Sequence, residues 1–373
     1  MEKKRFFALD SFRGLCALCV VIFHMKILNA FSEWDFFRNS RLFVEFFFIL
    51  SGFVLTHSYL KKETNSFYKY AIARTFRIFP LHIFMLCVYI VLECFKLVAQ
   101  QKGFVFNTPP FQGGNSLKEF LPNLLLIQSW SSSFEYLSFN YPSWSISVEY
   151  YLYFIFYLVI CPRTINGRVF AGIMFFIIFA FQEYSSFKIF TSEVIRGGIC
   201  FGAGVLVYYL YSLIHLSHAT RFLSVVFTVL ESGSLALIWF VVSMNDSGSE
   251  LLVVVVFSLS VFLFAFELGM ISFFLKKKPF QFFGKLSYSI YLTHASVLFV
   301  LISAMMVLQK ITGVAFTQHI DNLRYLNFGN SLINNFMIFA VLGCVIFFSM
   351  LTYKLIELPA QNKGKKLYEH YSR

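Results

Sequence analysis

Runs of about twenty consecutive, mostly apolar residues recur along the whole chain, and this pattern limits what the chain can fold into. A transmembrane helix needs roughly 20 such residues to cross a hydrocarbon core about 30 Å thick. Charged residues make up only 13% of the chain and the mean hydropathy is +0.69, whereas soluble domains contain about 25% charged residues. The sequence therefore predicts an all-α, polytopic membrane helix bundle, organised as one transmembrane domain over residues 1–373.

Ten apolar segments are long enough to cross a membrane by this criterion. They lie near residues 9–31, 41–60, 78–98, 142–161, 168–184, 193–213, 222–243, 251–275, 286–308 and 331–357. One set of alternate connections carries 20 Lys and Arg residues, and the other set carries 7. Because cytoplasmic connections are enriched in Lys and Arg, we expect about ten transmembrane helices with both termini in the cytoplasm. The basic tail from about residue 358 would then be cytoplasmic, and the long connection 99–141 would form an external cap.

Several other classes of site are not supported by the sequence. The net charge of +12 does not indicate nucleic-acid binding, because the basic residues cluster in short connections and no RNA- or DNA-binding motif is present. The seven cysteines lie within or at the ends of apolar segments, where we interpret them as small core residues. The eight histidines are scattered, so we expect no metal site. Asp10 and Arg13 interrupt the first apolar segment, so we expect it to be retained rather than cleaved as a signal peptide.

The first apolar segment, LDSFRGLCALCVVIFH, contains an arginine, Arg13, and a histidine, His24. A rise of ~1.5 Å per residue separates the two by roughly 16 Å along a helix. This spacing places Arg13 near one membrane face and His24 near the middle of the membrane. An ionisable group at that depth is energetically costly and indicates a functional site, although Arg13 could also extend its side chain to the cytoplasmic surface.

Polar residues occur at a similar depth in three other apolar segments, namely Ser51, Glu149 and His294. None of them has an obvious partner within its own helix. We therefore expect them to pair across helices around a cavity, together with His24.

Simpler interpretations are available for most of these residues. His294 could hydrogen-bond a neighbouring helix, and Ser51 with Gly52 could form a small-residue packing notch. Glu45, which begins VEFFFILSGF, could face water near the membrane interface. Glu149 is harder to explain without a functional or ordering role.

A pair of arginines precedes the third apolar segment in YKYAIARTFRIFP. Arg74 and Arg77 are three residues apart, so a helix would present both guanidiniums on one face. Arginines bind phosphate through bidentate, charge-assisted hydrogen bonds. Anchoring to lipid headgroups at the cytoplasmic surface is the alternative interpretation.

The chain resembles the acyltransferase-3 family of integral membrane acyltransferases. Six segments carry the resemblance and occur in the family's order, from residue 9 to about 361. They are LDSFRGLCALCVVIFH, VEFFFILSGFVLT, RTFR, YPSWSISVEYYLYF, FGKLSYSIYLTH and YKLIELPAQ. Any one of them would be a weak indication, whereas six in order are specific.

The resemblance implies three groups of site residues. The catalytic group is His24, Arg13 and Glu149. The group that binds the acyl donor is Arg13, Arg74, Arg77, Ser51 and Gly52. The group that binds the acceptor or orders the site is Glu45, Trp144, Tyr291 and His294. Glu45 stands where the family commonly has an aspartate.

The resemblance also implies an activity. Members transfer an acyl group, commonly acetyl from acetyl-CoA at the cytoplasmic side, to a hydroxyl of a lipid-linked or exported glycan. The expected partners are thus an acyl-CoA donor, a glycan acceptor and membrane lipid, in the cytoplasmic (inner) membrane of a bacterium. The resemblance is to members without a fused extracellular SGNH domain.

On this basis we expect Arg74 and Arg77, with Arg13, to hold the phosphates of CoA so that the thioester points toward His24. Neutral His24, with an unperturbed pKa of ~6.5, would act as general base on the acceptor hydroxyl. An acyl-histidine intermediate is the other mechanism. The alternative function is a secondary transporter or flippase. Absence of an evident internal repeat, and prolines placed at helix entries (Pro80, Pro142), favour the enzyme.

Overall fold

The computed structural model describes residues 5–60, 66–106, 108–162, 164–186, 188–214, 220–244, 250–320 and 323–370. These residues are almost entirely helical, which confirms the predicted fold class. The helices are α1 Phe7–His24, α2 Asp35–Arg38, α3 Phe43–Tyr59, α4 Phe67–Gln101, α5 Phe120–Leu124, α6 Ser143–Ile160, α7 Ile165–Tyr184, α8 Ser192–Leu213, α9 Arg221–Met244, α10 Glu250–Phe266, α11 Met270–Leu275, α12 Lys278–Thr312, α13 Ser331–Thr352 and α14 Leu358–His370. A π-helical turn, Tyr353–Glu357, joins α13 to α14. Two short strands, β1 Thr317–Ile320 and β2 Leu323–Leu326, pair antiparallel.

Nine helical spans within the described ranges are long and apolar enough to cross a membrane, and α10 is a shorter apolar helix. Together they account for the ten predicted segments. Two of them are longer than predicted, because α4 and α12 each contain 35 residues. Since α4 begins at Phe67, Pro80 lies inside the helix rather than at its entry. The argument from Pro80 against a transporter was therefore wrong.

The predicted segment 251–275 is interrupted between α10 and α11. Glu267 adopts a left-handed backbone conformation, with φ of 57°, which ends α10. The Glu267 carboxylate accepts a hydrogen bond from the Ala8 amide at 2.8 Å. The Glu231 carboxylate accepts from the amides of Gly269 and Ser272 at 3.2 and 3.0 Å, which satisfies the free donors at the start of α11.

Glycines allow two pairs of helices to pack very closely. A Cβ atom on Gly14 of α1 would lie 2.4 Å from the backbone of Phe283, and one on Gly284 of α12 would lie 2.5 Å from the backbone of Asp10. The same occurs between α3 and α8, where a Cβ atom on Gly52 would lie 2.0 Å from a backbone oxygen. Close backbone approach through small residues is typical of membrane helix packing.

Contacts between helix ends show which connections share one end of the bundle. The ring of Phe6 lies 4.8 Å from that of His57, and the ring of Phe67 lies 5.1 Å from that of Tyr157. Gln281 donates to the Phe7 carbonyl. The connections in the Lys- and Arg-rich set therefore meet at one end, which we call the basic end. The other end is the opposite end, where the Leu28 amide donates to the Leu326 carbonyl at 2.9 Å and Ser331 donates to the Asn29 carbonyl at 2.7 Å.

The long connection between α4 and α6, residues 102–142, folds over the opposite end, and we call it the cap. It contains α5 and two 3-10 turns. Buried Glu93 of α4 fixes it, accepting hydrogen bonds from the Phe111 amide at 2.8 Å and from the Asn115 side chain at 2.7 Å. Lys96 donates to the same carboxylate at 2.9 and 3.1 Å. The charge of Glu93 is thus neutralised inside the bundle while the cap is held in place.

Candidate active site

A small cavity of about 60 Å³ lies between α1, α3, α4, α6 and α12, and we call it the arginine cavity. Its polar lining includes Arg13, Ser51, Arg77, Glu149, Tyr153 and Tyr291. Five of these residues were predicted from the sequence as site residues. The structure therefore brings together residues from five helices that are far apart in the chain.

Glu149 is the hydrogen-bond acceptor at the centre of this lining. Ser51 and Tyr153 both donate to its Oε1 atom. Arg13 and Arg77 both lie close enough to interact electrostatically with the carboxylate. Glu149 therefore partly neutralises two arginines while it orders a serine and a tyrosine, which fits the site-ordering role expected from its burial.

Arg13 is held by α12 rather than extending freely to the membrane surface. Its Nε donates to Ser287 Oγ at 2.9 Å, and its Nη2 donates to the Gly284 carbonyl at 3.1 Å. Asp10, one turn earlier in α1, lies 3.9 Å from the guanidinium. The side chain is still 27% exposed, so it can meet a ligand in the cavity.

His24 and His294 form a pair deeper in the bundle than the arginines, and the distance between His294 Nε2 and His24 Nδ1 is 3.2 Å. Each Nδ1 also lies near the carbonyl one turn earlier, that of Val20 at 2.9 Å and that of Ile290 at 3.2 Å. The two histidines therefore contact each other across helices, and each also contacts a carbonyl of its own helix, which was not predicted from the sequence.

These contacts determine the tautomers of the two rings. A carbonyl oxygen can only accept, so both Nδ1 atoms carry hydrogen. The Nδ1 hydrogen of His24 is then shared between the Val20 carbonyl and His294 Nε2, and His24 Nε2 keeps a lone pair. Among the residues that the structure describes, His24 Nε2 has no hydrogen-bond partner, so it is available as a base.

Two tyrosines connect the histidine pair to its surroundings. Tyr291 lines the arginine cavity, hydrogen-bonds Ser145 Oγ at 2.8 Å and has its ring 5.9 Å from that of His294. The ring of Tyr141, from the cap, lies 4.8 Å from that of His24. Burial raises the pKa of Tyr141, so its hydroxyl stays protonated and can donate a hydrogen bond next to His24.

Other predicted site residues lie outside the arginine cavity. Gly52 packs its backbone against that of Phe201, which supports the packing interpretation for this glycine but not for Ser51. Arg74 does not line the cavity but lies 5.7 Å from the ring of Tyr153, on the outer side of Arg77. Arg74 Nε is buried and has no hydrogen-bond partner within the described part of the chain.

Glu45 and Trp144 belong to a second cluster, built around Arg196 of α8. Arg196 Nε lies 3.5 Å from the Glu45 carboxylate, and its guanidinium lies 5.5 Å from the Trp144 ring. Glu45 is only 6% exposed, so the suggestion that it faces water was wrong. The Trp144 ring lies 6.3 Å from that of Phe48, which lines the arginine cavity, so the cluster adjoins the site without lining the cavity.

Sequence reasoning missed several residues that the structure places at the site. Tyr153 and Tyr288 line the cavity, but nothing separates them from the other aromatic residues in the chain. Glu357 is 6% exposed, accepts a hydrogen bond from Ser289 at 2.7 Å and lies near both cavity arginines. Its position in the family-like segment YKLIELPAQ was the signal that could have identified it.

Comparison with known proteins identifies the family to which this architecture belongs. The acyltransferase-3 family model, described as an acyltransferase domain, matches residues 6–354. The chain belongs to the acyltransferase-3 family. It is also 34% identical over 158 residues to acyltransferase MdmB of Streptomyces mycarofaciens, a match that covers 40% of this chain and 38% of that relative. No solved structure matches the chain.

Membership of the acyltransferase-3 family agrees with the helical membrane architecture. Within the described ranges, no group of three or more His, Cys, Asp or Glu side chains is arranged to hold a metal ion.

Proposed function

We propose that this protein is a membrane-embedded O-acyltransferase that moves an acyl group, acetyl from cytoplasmic acetyl-CoA, to a hydroxyl of a cell-surface or lipid-linked glycan. The observation that carries the proposal is a cavity toward the basic end that is lined by two arginines and Tyr291. The Tyr291 ring lies 5.9 Å from that of His294, which pairs with His24, and His24 Nε2 keeps a free lone pair. In this proposal the protein lies in the cytoplasmic membrane of a bacterium with its basic end at the cytoplasm.

The donor would bind from the basic end. Arg77 and Arg13 present fixed positive charge in the cavity, and the buried Arg74 Nε supplies a donor that still lacks a partner. These groups suit the phosphates of CoA, since arginine binds phosphate through paired N–H donors.

The chemical step follows from the tautomer of His24. Its Nε2 takes the proton of the acceptor hydroxyl as that oxygen attacks the thioester carbonyl carbon. The protonated Tyr141 hydroxyl, whose ring lies 4.8 Å from that of His24, would donate a hydrogen bond to the carbonyl oxygen as negative charge develops there. The carbon–sulfur bond then breaks, and the imidazolium returns the proton to the departing CoA thiolate. His294 accepts from His24 Nδ1 and so keeps its ring oriented.

Replacement of His24 by asparagine tests this proposal. The asparagine amide can still donate to the Val20 carbonyl but has no basic lone pair. We expect acetyl transfer from labelled acetyl-CoA by purified protein to fall at least about a hundredfold, with unchanged CoA binding in a direct titration.

His82→Asn is the matched control, because His82 is a buried histidine of α4 that does not line the arginine cavity. Full transfer by the His24→Asn protein would overturn the general-base assignment. Net transport of an unmodified substrate, without a CoA-dependent product, would favour the transporter instead.

A further inference from the structure

A second cavity, of about 320 Å³, lies toward the opposite end between α4, α12 and the cap, and we call it the cap cavity. Its polar lining includes Tyr89, Glu93, Lys96, Asn115 and Arg324. A volume near 300 Å³ is at the lower end of the range for small-molecule sites in proteins. The cap cavity is thus large enough for a polar group the size of a sugar ring.

The Tyr89 hydroxyl in this cavity lacks a hydrogen-bond partner among the described residues. Tyr89 is 6% exposed, and its hydroxyl is buried without a hydrogen bond to any described residue. A buried polar group without a partner is costly, so a ligand that bonds this hydroxyl would gain affinity. Glu93 and Lys96, by contrast, neutralise each other. Burial lowers the pKa of Arg324, but the guanidinium stays charged at neutral pH and favours an anionic or hydroxyl-rich ligand.

An apolar groove continues from the cap cavity. This groove is a further cavity of about 320 Å³, and it shares six lining residues with the cap cavity, namely Leu92, Lys96, Phe106, Phe299, Ser303 and Met306. Its outer lining includes Phe95, Val300 and Val307, whose side chains are 66%, 52% and 43% exposed. These residues lie on the faces of α4 and α12 that meet lipid. The groove therefore opens sideways toward the membrane.

Two tyrosines connect the cap cavity to the histidine pair. The hydroxyls of Tyr89, in the cavity lining, and Tyr141 are close enough to interact electrostatically, and the Tyr141 ring lies 4.8 Å from that of His24. The cap cavity is thus linked to His24 through Tyr141 of the cap.

We infer that the cap cavity and the apolar groove together bind the acyl acceptor, and that this acceptor is an amphiphile with one long apolar chain and a hydroxyl-bearing polar head. The inference rests on the proposed function, because it assigns the acceptor of that same reaction. The chain lies in the groove between α4 and α12, and the head bonds Tyr89 and faces Arg324. Bulk phospholipid is a poorer occupant, because its headgroup stays at the membrane surface whereas the polar lining of the cap cavity includes the buried Tyr89, Glu93 and Lys96.

Photolabelling of protein in phosphatidylcholine nanodiscs tests the inference. The probe is dodecyl glucoside with a diazirine in its alkyl chain. We expect crosslinks on the peptides that contain Phe95 and Val307, displaced by unlabelled dodecyl glucoside but not by glucose or phosphatidylglycerol. We also expect Ser303→Trp, at the wall shared by both cavities, and Val307→Trp, at the exposed rim, each to reduce labelling about tenfold, equivalent to ~1.4 kcal/mol.

Val91→Trp is the control, because Val91 is a 54% exposed residue of α4, the other helix that forms the groove, and it lines neither cavity. Val307→Trp keeps the test valid if Ser303→Trp fails to fold, because an exposed rim position tolerates a larger side chain. Labelling spread evenly over lipid-facing helices, or removed equally well by phosphatidylglycerol, would overturn the inference.

CoA titration separates this inference from the proposed function. CoA binding by Val307→Trp should match the wild type, because the groove is remote from Arg13 and Arg77. Acetyl transfer to glucose and dodecyl glucoside at equal rates, without labelling in the groove, would overturn the acceptor inference and leave the acyltransferase standing. Specific labelling in the groove by a protein that binds no CoA would overturn the proposed function alone.

Discussion

The two arginines of the arginine cavity lie near Glu149 in its lining and near Asp10 and Glu357 beside it. Their planar guanidiniums offer paired N–H donors that match phosphate oxygens, which is why we assign the phosphates of CoA to this end. Arg77 is the clearest test of the assignment, because its guanidinium lines the cavity directly.

Arg77→Ala should raise the KM for acetyl-CoA and the Kd for CoA while kcat changes much less. A hydrogen bond to a charged group contributes ≈ 1.5–3 kcal/mol, so we expect an increase of about tenfold or more, measured by steady-state kinetics and by calorimetric titration. Arg196→Ala is the control, because Arg196 is an equally embedded arginine that pairs with Glu45 outside the cavity. An unchanged Kd for CoA in the Arg77→Ala protein would contradict the phosphate assignment.

Individual residues were predictable from the sequence where their chemistry contrasts with an apolar background. Arg13, His24 and Glu149 stand out in this way, and in the structure Arg13 and Glu149 line the arginine cavity while His24 pairs with His294 deeper in the bundle. Tyr141 and Tyr153 do not stand out, because 20% of the chain is aromatic and only the fold shows which rings meet a histidine or a carboxylate. The pairing of Glu45 with Arg196 also depends on the packing of α3 against α8, which one sequence does not reveal.

At the scale of helices, the glycine contact between α1 and α12 determines the geometry of the site. Arg13 and His24 lie on α1, while Ser287 and His294 lie on α12. The distance between these two helices therefore sets both the hold on Arg13 and the hydrogen bond between the histidines.

Gly14→Ala should push α1 and α12 apart, since its Cβ atom would lie 2.4 Å from the backbone of Phe283. Overpacking of this kind costs about 1–3 kcal/mol, so we expect a lower unfolding temperature in a thermal assay and weaker acetyl transfer. Gly233→Ala in α9 should stabilise the protein slightly, because nothing lies within 4 Å of the added atom and alanine favours helix by roughly 0.5–1 kcal/mol. Equal unfolding temperatures for the two variants would show that the contact between α1 and α12 is not tight.

The existence of each helix was predictable from apolar runs, but several boundaries were not. The runs do not show that α4 and α12 continue through polar residues to a length of 35 residues. They also do not show that the predicted eighth segment breaks at Glu267. That break depends on the carboxylates of Glu267 and Glu231 meeting amides from other parts of the chain, which are tertiary contacts.

At the scale of the whole molecule, the proposed reaction needs two substrates to reach His24 from opposite ends. CoA is confined to the cytoplasm, whereas an exported glycan is modified on the other side. The distribution of Lys and Arg predicts that the basic end is cytoplasmic, and the structure places the arginine cavity toward that end. The mechanism is thus coherent only in one orientation of the bundle.

Cysteine accessibility checks this orientation. In a background without the seven native cysteines, Lys277→Cys at the exposed basic end should react with a membrane-impermeant maleimide only after the cells are permeabilised. Leu117→Cys in the cap, at a residue that is 74% exposed, should react in intact cells whose outer barrier has been removed. The reverse pattern would place the cavity arginines on the side without CoA, and the donor site would then have to be sought near Lys96 and Arg324 instead.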